Sequence, residues 1–267
     1  MREFNIMDSF GLEIPVESRY AMIKAAGFAG IQMCRFLDFE NEEYNFRPSV
    51  AKRHFLTVEN IHAPFRDVNT LWLPGTAGDN YASLLCKCAE FCARNEIPAV
   101  VIHLSDGALP PEKTMLGWSR LETAIRVAHR WGVRFFAENL CTVDNGVKMF
   151  LEQFAEYQPG FCYDTGHDHC YTPEYDWLGH FGEKLAALHL SDNDGKTDSH
   201  ALPFDGTFPW KSLSGVLNEH QNLALTLEVS TKSYGNQYKD AFTFLEEAYK
   251  RVKRIDELLF NREKSAS

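Results

Sequence analysis

A chain of 267 residues that is 45% hydrophobic and 24% charged can bury one full core, and no Pro-, Ser- or Gly-rich stretch divides it. Its formal charge of -10 argues against a broad basic face for nucleic acid, and no apolar stretch approaches the roughly 20 residues that a bilayer crossing requires. The opening Met1-Arg2-Glu3-Phe4-Asn5 lacks the basic and apolar regions of a signal peptide, so a cytoplasmic location is expected. Seven cysteines, an odd number, read as reduced packing thiols. Cys86, Cys88 and Cys92 fall on a helix-like stretch where positions two apart diverge, a poor zinc knuckle.

Strand-like and helix-like segments alternate eight times, the pattern of βα units and a parallel sheet. In chain order the strands are expected near residues 3–7, 30–33, 55–62, 99–103, 133–138, 160–164, 185–190 and 223–229. Each precedes a segment with apolar residues at three- and four-residue spacing, as in 20–26 and 121–128. Gly27, Gly132 and Gly215 fall at or near helix ends, where a left-handed residue is needed. The last helix, 241–260, is amphipathic, with Phe242, Leu245, Tyr249, Val252, Ile255 and Leu259 on one side, and 261–267 reads as a frayed tail. An open doubly wound sheet would share the alternation, but neither GxGxxG nor GxxxxGK[ST] is present. The expected fold is therefore a single (β/α)8 barrel over residues 1–260, with the active site at the C-terminal ends of its strands.

Six of these strands stop at a residue that can ligate a metal: His62, His103, Glu138, Asp164, His189 and Glu228. A barrel opens every strand's C-terminal end onto one rim, so the six become one constellation. Several carboxylates buried together without a cation would cost several kcal/mol each or protonate, so their convergence implies a metal ion. Two Glu, one Asp and one His suit Mn²⁺, Mg²⁺, Co²⁺ or Zn²⁺. Adding His62, His103, His167 and His200 shifts the preference toward zinc and toward more than one ion.

The segments Ile61-His62-Ala63-Pro64-Phe65, Glu138-Asn139, Asp164-Thr165-Gly166-His167, 189–195, Asp198-Ser199-His200 and Leu227-Glu228 resemble the xylose isomerase-like TIM-barrel superfamily. That group includes sugar and sugar-phosphate isomerases and epimerases, inosose dehydratase and endonuclease IV, and the likeness runs through nearly the whole chain. By this resemblance Glu138, Asp164, His189 and Glu228 hold a single divalent ion, while Glu138 and Glu228 move a substrate proton through an enediolate. The implied partner is a small sugar or sugar phosphate; the sequence leaves open whether the chain forms a homo-oligomer. The same resemblance carries a rival reading. All nine ligand positions of the three-zinc endonuclease IV cluster find ligand-type residues here: His62, His103, Glu138, Asp164, His167, His189, Asp198, His200 and Glu228. A dehydratase acting on an inosose-like polyol is the third option.

Two departures bear on the choice. The Gly-Glu-Gly that often follows the Asp-x-His pair is replaced by Pro203-Phe204-Asp205-Gly206, and no Arg follows His189 shortly, where some ketose epimerases carry one. Around the ligands, Phe65 and Trp210 are expected to offer apolar faces to a sugar ring, and Asn139 and Asp192 to bond substrate or orient imidazoles. Trp72 and Trp118 read equally well as hydrophobic anchors. Arg35 and Arg66 are the cations placed to meet a phosphate, and Asp168 and His169 read as solvated loop residues.

Overall fold

The structure, a computed structural model, describes residues 2–34 and 42–260; Arg35 and the tail expected at 261–267 lie outside the described residues. Eight parallel strands form the barrel: β1 (Phe4–Met7), β2 (Gly30–Cys34), β3 (Thr57–His62), β4 (Ala99–Ile102), β5 (Arg134–Glu138), β6 (Gly160–Asp164), β7 (Leu185–His189) and β8 (Leu225–Leu227). They pair in the order β7-β6-β5-β4-β3-β2-β1-β8. The ring closes through the parallel bridge Leu190↔Leu227, where Leu190 N donates to Thr226 O at 2.9 Å and Glu228 N to Leu190 O at 3.0 Å. Nine α-helices stand among the described residues: α1 (Val16–Ala26), α2 (Glu42–Arg53), α3 (Thr76–Arg94), α4 (Met115–Arg130), α5 (Gly146–Gln153), α6 (Thr165–Tyr171), α7 (Trp177–Phe181), α8 (Ser214–Glu219) and α9 (Ala241–Phe260). None of the helices is long and apolar enough to cross a membrane.

The core has two parts, as alternation along each strand requires. Outward residues such as Ile6, Ile31, Ile61, Val100, Phe135, Phe161, Leu188 and Leu227 join the helix faces in one large apolar layer. Inside the ring, Ala99, Val101, Phe136, Cys162 and Ala187 form a small separate cluster on the β4–β7 side. The lumen near β1, β2, β3 and β8 is instead polar: Asn5, Gln32, Asn60 and Thr226 are all buried. The Glu59 carboxyl there, raised by burial, accepts hydrogen bonds from Asn5 Nδ2 at 3.1 Å and from Thr226 Oγ1.

Several boundaries differ from the sequence expectation, each for a local reason. β3 begins at Thr57 because Phe55 adopts φ 56° and stands 82% exposed in a turn. β8 is trimmed to Leu225–Leu227 because Leu223 sits in the turn that follows α8, its N–H bonded to His220 O. Gly27 and Gly132 take the left-handed conformation, at φ 114° and 73°, whereas Gly215 lies inside α8. In α9 the buried face is carried by Phe244, Leu245, Ala248, Val252, Ile255 and Leu259; Phe242 is only half-buried. None of the seven cysteines, all of them among the described residues, forms a disulfide.

Two helical glycines give a test of packing against propensity. A Cβ at Gly117 in α4 would stand 2.2 Å from Cε3 of the buried Trp72, whereas one at Gly215 would meet open space. Gly117→Ala is expected to lower stability by about 1–3 kcal/mol through overpacking, and Gly215→Ala to raise it by about 0.5–1 kcal/mol. Urea denaturation monitored by circular dichroism checks both signs.

Candidate metal centre

The residues expected from sequence meet at the rim. His62, Glu138, Asp164 and His189 are the last residues of β3, β5, β6 and β7, and His103 and Glu228 directly follow β4 and β8. Glu138, Asp164, His189 and Glu228 each turn a ligand atom to one point, with all four atoms within 4.8 Å of one another. His189 Nδ1 lies 2.7 Å from Glu228 Oε2, 3.1 Å from Glu138 Oε1 and 3.9 Å from Asp164 Oδ2. The other oxygen of Glu138, Oε2, faces a second group, 3.1 Å from His62 Nε2 and 3.3 Å from His103 Nε2. A third cluster stands beside them, where Asp198 Oδ2 is 3.4 Å from His167 Nε2 and 3.5 Å from His200 Nε2.

Backbone carbonyls hold three of the imidazoles from behind. Nδ1 of His62 pairs with Ala63 O at 2.8 Å, that of His167 with Asn139 O at 2.9 Å and that of His200 with Glu228 O at 3.0 Å. Each ring therefore carries a proton on Nδ1 and turns Nε2 inward, the orientation in which imidazoles ligate metals.

The charge balance points the same way. Burial would raise Glu138, but the His189 charge and hydrogen bonds from His103, His167 and His189 hold it well below the usual carboxylate range. Glu228 is likewise pulled down to about 2, mainly by His189, against its own burial. Asp198 is lowered by hydrogen bonds from His167 and His200, again against burial. Asp164 goes the other way, up to about 7, because burial and the charges of Glu138, Glu228 and Asp198 outweigh His167. In return His189, His167 and His200 are raised despite burial, His200 to about 10 through its bond to Asp198. Burial lowers His103 in spite of Glu138. Without an ion, protons on imidazoles supply the positive charge these carboxylates require.

The residues fit a divalent ion on structural grounds. Asp164 Oδ2 and Asp198 Oδ1 are buried with no hydrogen-bond partner, costly for carboxylate oxygens unless a cation takes them. Three carboxylates and one imidazole in the quartet form a hard, mostly oxygen donor set.

The surroundings correct parts of the sequence reading. Phe65 is where it was expected, stacked on His103 with ring centroids 4.4 Å apart and lining the cavity beside the ligands. Trp210 is not: it is buried, its Nε1 donates to Asp192 Oδ2 at 3.0 Å, and its ring packs against Phe204 and Phe208. Asn139 is wholly buried with both amide atoms engaged in the backbone. Its side chain donates to Asp164 O at 2.8 Å and accepts from Asp164 N at 2.7 Å, clamping β5 to β6 behind the ligands. Asp192 is likewise structural, accepting from the backbone N–H groups of Asn193, Phe204 and Phe208 besides Trp210. Asp168 and His169 lie on α6, half-buried, and not in a solvated loop; Asp168 accepts from Tyr163 and His169 pairs with Thr207 Oγ1. Trp72 and Trp118 are fully buried anchors, with Trp72 Nε1 bonded to Leu104 O at 2.7 Å.

Two cavities open onto the ligands. The larger, about 400 Å³, is walled by Phe65, Ser105, Asp106, Cys141 and Tyr171 with Glu138 and Glu228 at its floor. The smaller, about 160 Å³, lies between Cys34, Phe65 and Arg66, also against His62 and Glu228. Sequence reasoning missed Gln32, whose amide reaches His189, and Cys34. The signal available was a lone amide in the otherwise apolar run Gly30-Ile31-Gln32-Met33-Cys34.

A ring of eight parallel strands with a buried carboxylate and imidazole quartet at its C-terminal rim is a (β/α)8 barrel whose rim could hold a divalent ion. The chain belongs to the xylose isomerase-like TIM barrel family, whose profile matches residues 20–248. Among solved structures it is similar to D-psicose 3-epimerase with D-tagatose from Clostridium cellulolyticum H10, at TM-score 0.74 and 14% identity over 96% of this chain and 99% of that one. It is similar to D-allulose 3-epimerase from Methylomonas sp. in complex with D-allulose, at TM-score 0.73 and 12% identity over 95% and 97%. It also resembles a xylose isomerase domain protein from Planctomyces limnophilus, at TM-score 0.71 and 13% identity over 98% and 99%. At these identities the likeness is one of fold. An uncharacterised protein of Sinorhizobium fredii is 35% identical over 78 residues, 28% of this chain, so the match spans only a quarter of that protein.

Proton linkage follows from the charge balance. Metal binding must ionise Asp164 and discharge His189, so affinity is expected to rise at least about tenfold from about pH 6 to about pH 8. Because the folded pKa of Asp164, about 7, lies above its ordinary 3.8, its contribution to the stability of the metal-free protein is present below 3.8 and lost as pH rises to about 7. Calorimetric titration with Zn²⁺ or Mn²⁺ in buffers of different ionisation enthalpy measures the protons released, and a buffer-independent heat refutes the linkage.

Proposed function

We propose that this protein is a divalent-metal-dependent isomerase or epimerase of a sugar or sugar phosphate. The observation that carries the reading is the pair Glu138 and Glu228, which converge with Asp164 and His189 on one point and also line the floor of the same 400 Å³ cavity. Support comes from the family and from structural neighbours that are ketose 3-epimerases, two of them with a ketose bound.

Glu138, Asp164, His189 and Glu228 would hold the ion. When bound it would polarise a carbonyl and the adjacent hydroxyl and offset the negative charge that grows on them. The chain's own side chains move the proton. Glu138 and Glu228 are both held in the ionised form, so either can take the proton from the carbon beside the carbonyl; its partner delivers one to the opposite face after first taking a proton from solvent, and the first carboxylate gives its own back to solvent to close the cycle. Glu228, the more accessible of the two, borders both cavities, and Phe65 gives the apolar wall between them.

One observation favours a second reading, a zinc phosphodiesterase resembling endonuclease IV. Glu138 belongs to two ligand groups at once, the quartet and the trio with His62 and His103, as a bridging carboxylate does. The Asp198, His167 and His200 cluster adds positions for a third ion.

Glu138→Gln and Glu228→Gln are each expected to cut turnover on a panel of ketoses and ketose phosphates by at least about 10²-fold with the fold intact. Full activity in either variant refutes the proton-transfer assignment. Elemental mass spectrometry of untagged protein separates the readings. About one ion per chain supports the isomerase; about three zinc ions, with chelator-sensitive nicking of abasic-site DNA, support the hydrolase.

A further inference from the structure

The inner imidazole is held differently from the outer ones. His62, His167 and His200 each rest on a backbone carbonyl, which no substitution of a neighbouring side chain removes. His189 instead presents Nδ1 to the quartet, and its Nε2 lies 2.9 Å from the side-chain amide of Gln32, deep in the lumen. Gln32 is wholly buried on β2, at the point where the β2–β3 register skips Glu59, so that Gln32 pairs with Asn60. It also lies 3.5 Å from Glu228 Oε2, and so touches two of the four ligands.

With the Nδ1 lone pair given to an ion, neutral His189 carries its proton on Nε2, and that N–H needs an acceptor in a lumen without water-exposed surface. The amide oxygen of Gln32 is buried and has no hydrogen-bond partner, while the amide nitrogen occupies the place beside Nε2. Rotating the amide by half a turn exchanges the two and gives the proton its acceptor. Glutamine can do this because it offers a donor and an acceptor on one planar group. The Cys162 thiol also bonds His189, but sulfur is a weak acceptor.

We infer that Gln32 is a positioning residue for the metal centre: its amide oxygen fixes the His189 tautomer that presents Nδ1 to a divalent ion, rotating to do so when the ion binds. The inference rests on the quartet holding an ion, and on nothing about which substrate is turned over. It separates the inner ligand from the outer three, because one side chain on β2 governs it.

The test uses Co²⁺ as the probe, on full-length protein stripped of metal. Gln32→Met keeps the volume and removes the acceptor. It is expected to weaken Co²⁺ binding about 10- to 100-fold and to alter the visible d–d bands, while the metal-free melting temperature stays close to wild type. Gln32→Glu keeps an acceptor at the same reach and is expected to bind Co²⁺ within about threefold of wild type or more tightly. Should Gln32→Met not fold, Gln32→Asn, which withdraws the amide by one methylene, is expected to weaken binding to a similar degree. Affinity and spectrum within threefold of wild type in Gln32→Met, or equal weakening in Gln32→Met and Gln32→Glu, overturns the assignment. A protein that binds Co²⁺ as expected yet epimerises no sugar leaves this inference standing and removes the proposed function instead.

Discussion

The rim of this barrel is organised by one electrostatic constraint: four carboxylates share a small, largely dry volume and must be neutralised there. Glu138 sits at the centre of it, with one oxygen turned to His189 and His167 and the other to His62 and His103. Anions this close are tolerated only with positive charge between them, and the fold provides for it twice. Protonated imidazoles serve in the absence of an ion, and a divalent cation would take the place of their protons. The unpartnered oxygens of Asp164 and Asp198 show that protons alone leave the cluster incompletely satisfied.

That cluster depends on the barrel in a direct way. A parallel ring puts the last residue of every strand at one height, so ligands from β3, β5, β6 and β7 and from the positions just beyond β4 and β8 converge without any long loop. Closure between β7 and β8 runs through Leu190 and Leu227, the neighbours of His189 and Glu228, so the bond that seals the ring also fixes the spacing of two ligands. The Asn139 clamp on the Asp164 backbone does the same between β5 and β6. Division of the lumen into an apolar β4–β7 side and a polar β1–β3 side leaves His189 at the boundary, with Cys162 behind it on one side and Gln32 on the other.

Much of this was legible in the sequence because it is written locally. A β-branched or aromatic run that stops at a His, Asp or Glu marks a strand end and a ligand in the same few letters, and all six such residues reach the rim. Nine ligand-type positions could be named, and the structure brings them into three adjoining groups. What the sequence could not show is which polar group a side chain spends itself on. Trp210 and Asn139 have the chemistry of sugar contacts, yet their partners, Asp192 and the Asp164 backbone, lie 18 and 25 residues away. Gln32 failed the opposite way, since an amide inside an apolar strand reads as a tolerated exception until His189, 157 residues on, is placed against it. In α9 the helical period and most of the buried face were plain, since Leu245, Val252, Ile255 and Leu259 all face the core, but Phe242 is half-buried and Phe244 takes the buried position beside Leu245.

The segment after β7 carries a further implication. Asp192 gathers three backbone N–H groups and the Trp210 indole onto one carboxylate, and Gly206 packs so tightly beneath it that a Cβ would lie 2.3 Å from Asp192 Oδ1. The loop that carries Asp198 and His200 is tied at its two ends by the antiparallel bridge between Asp192 and Ala201. Phe65, Ser105, Asp106, Cys141 and Tyr171, which border the cavity, take no part in that network. The Asp192 segment thus serves as a frame, and the residues that border the cavity can be exchanged without breaking its hydrogen bonds.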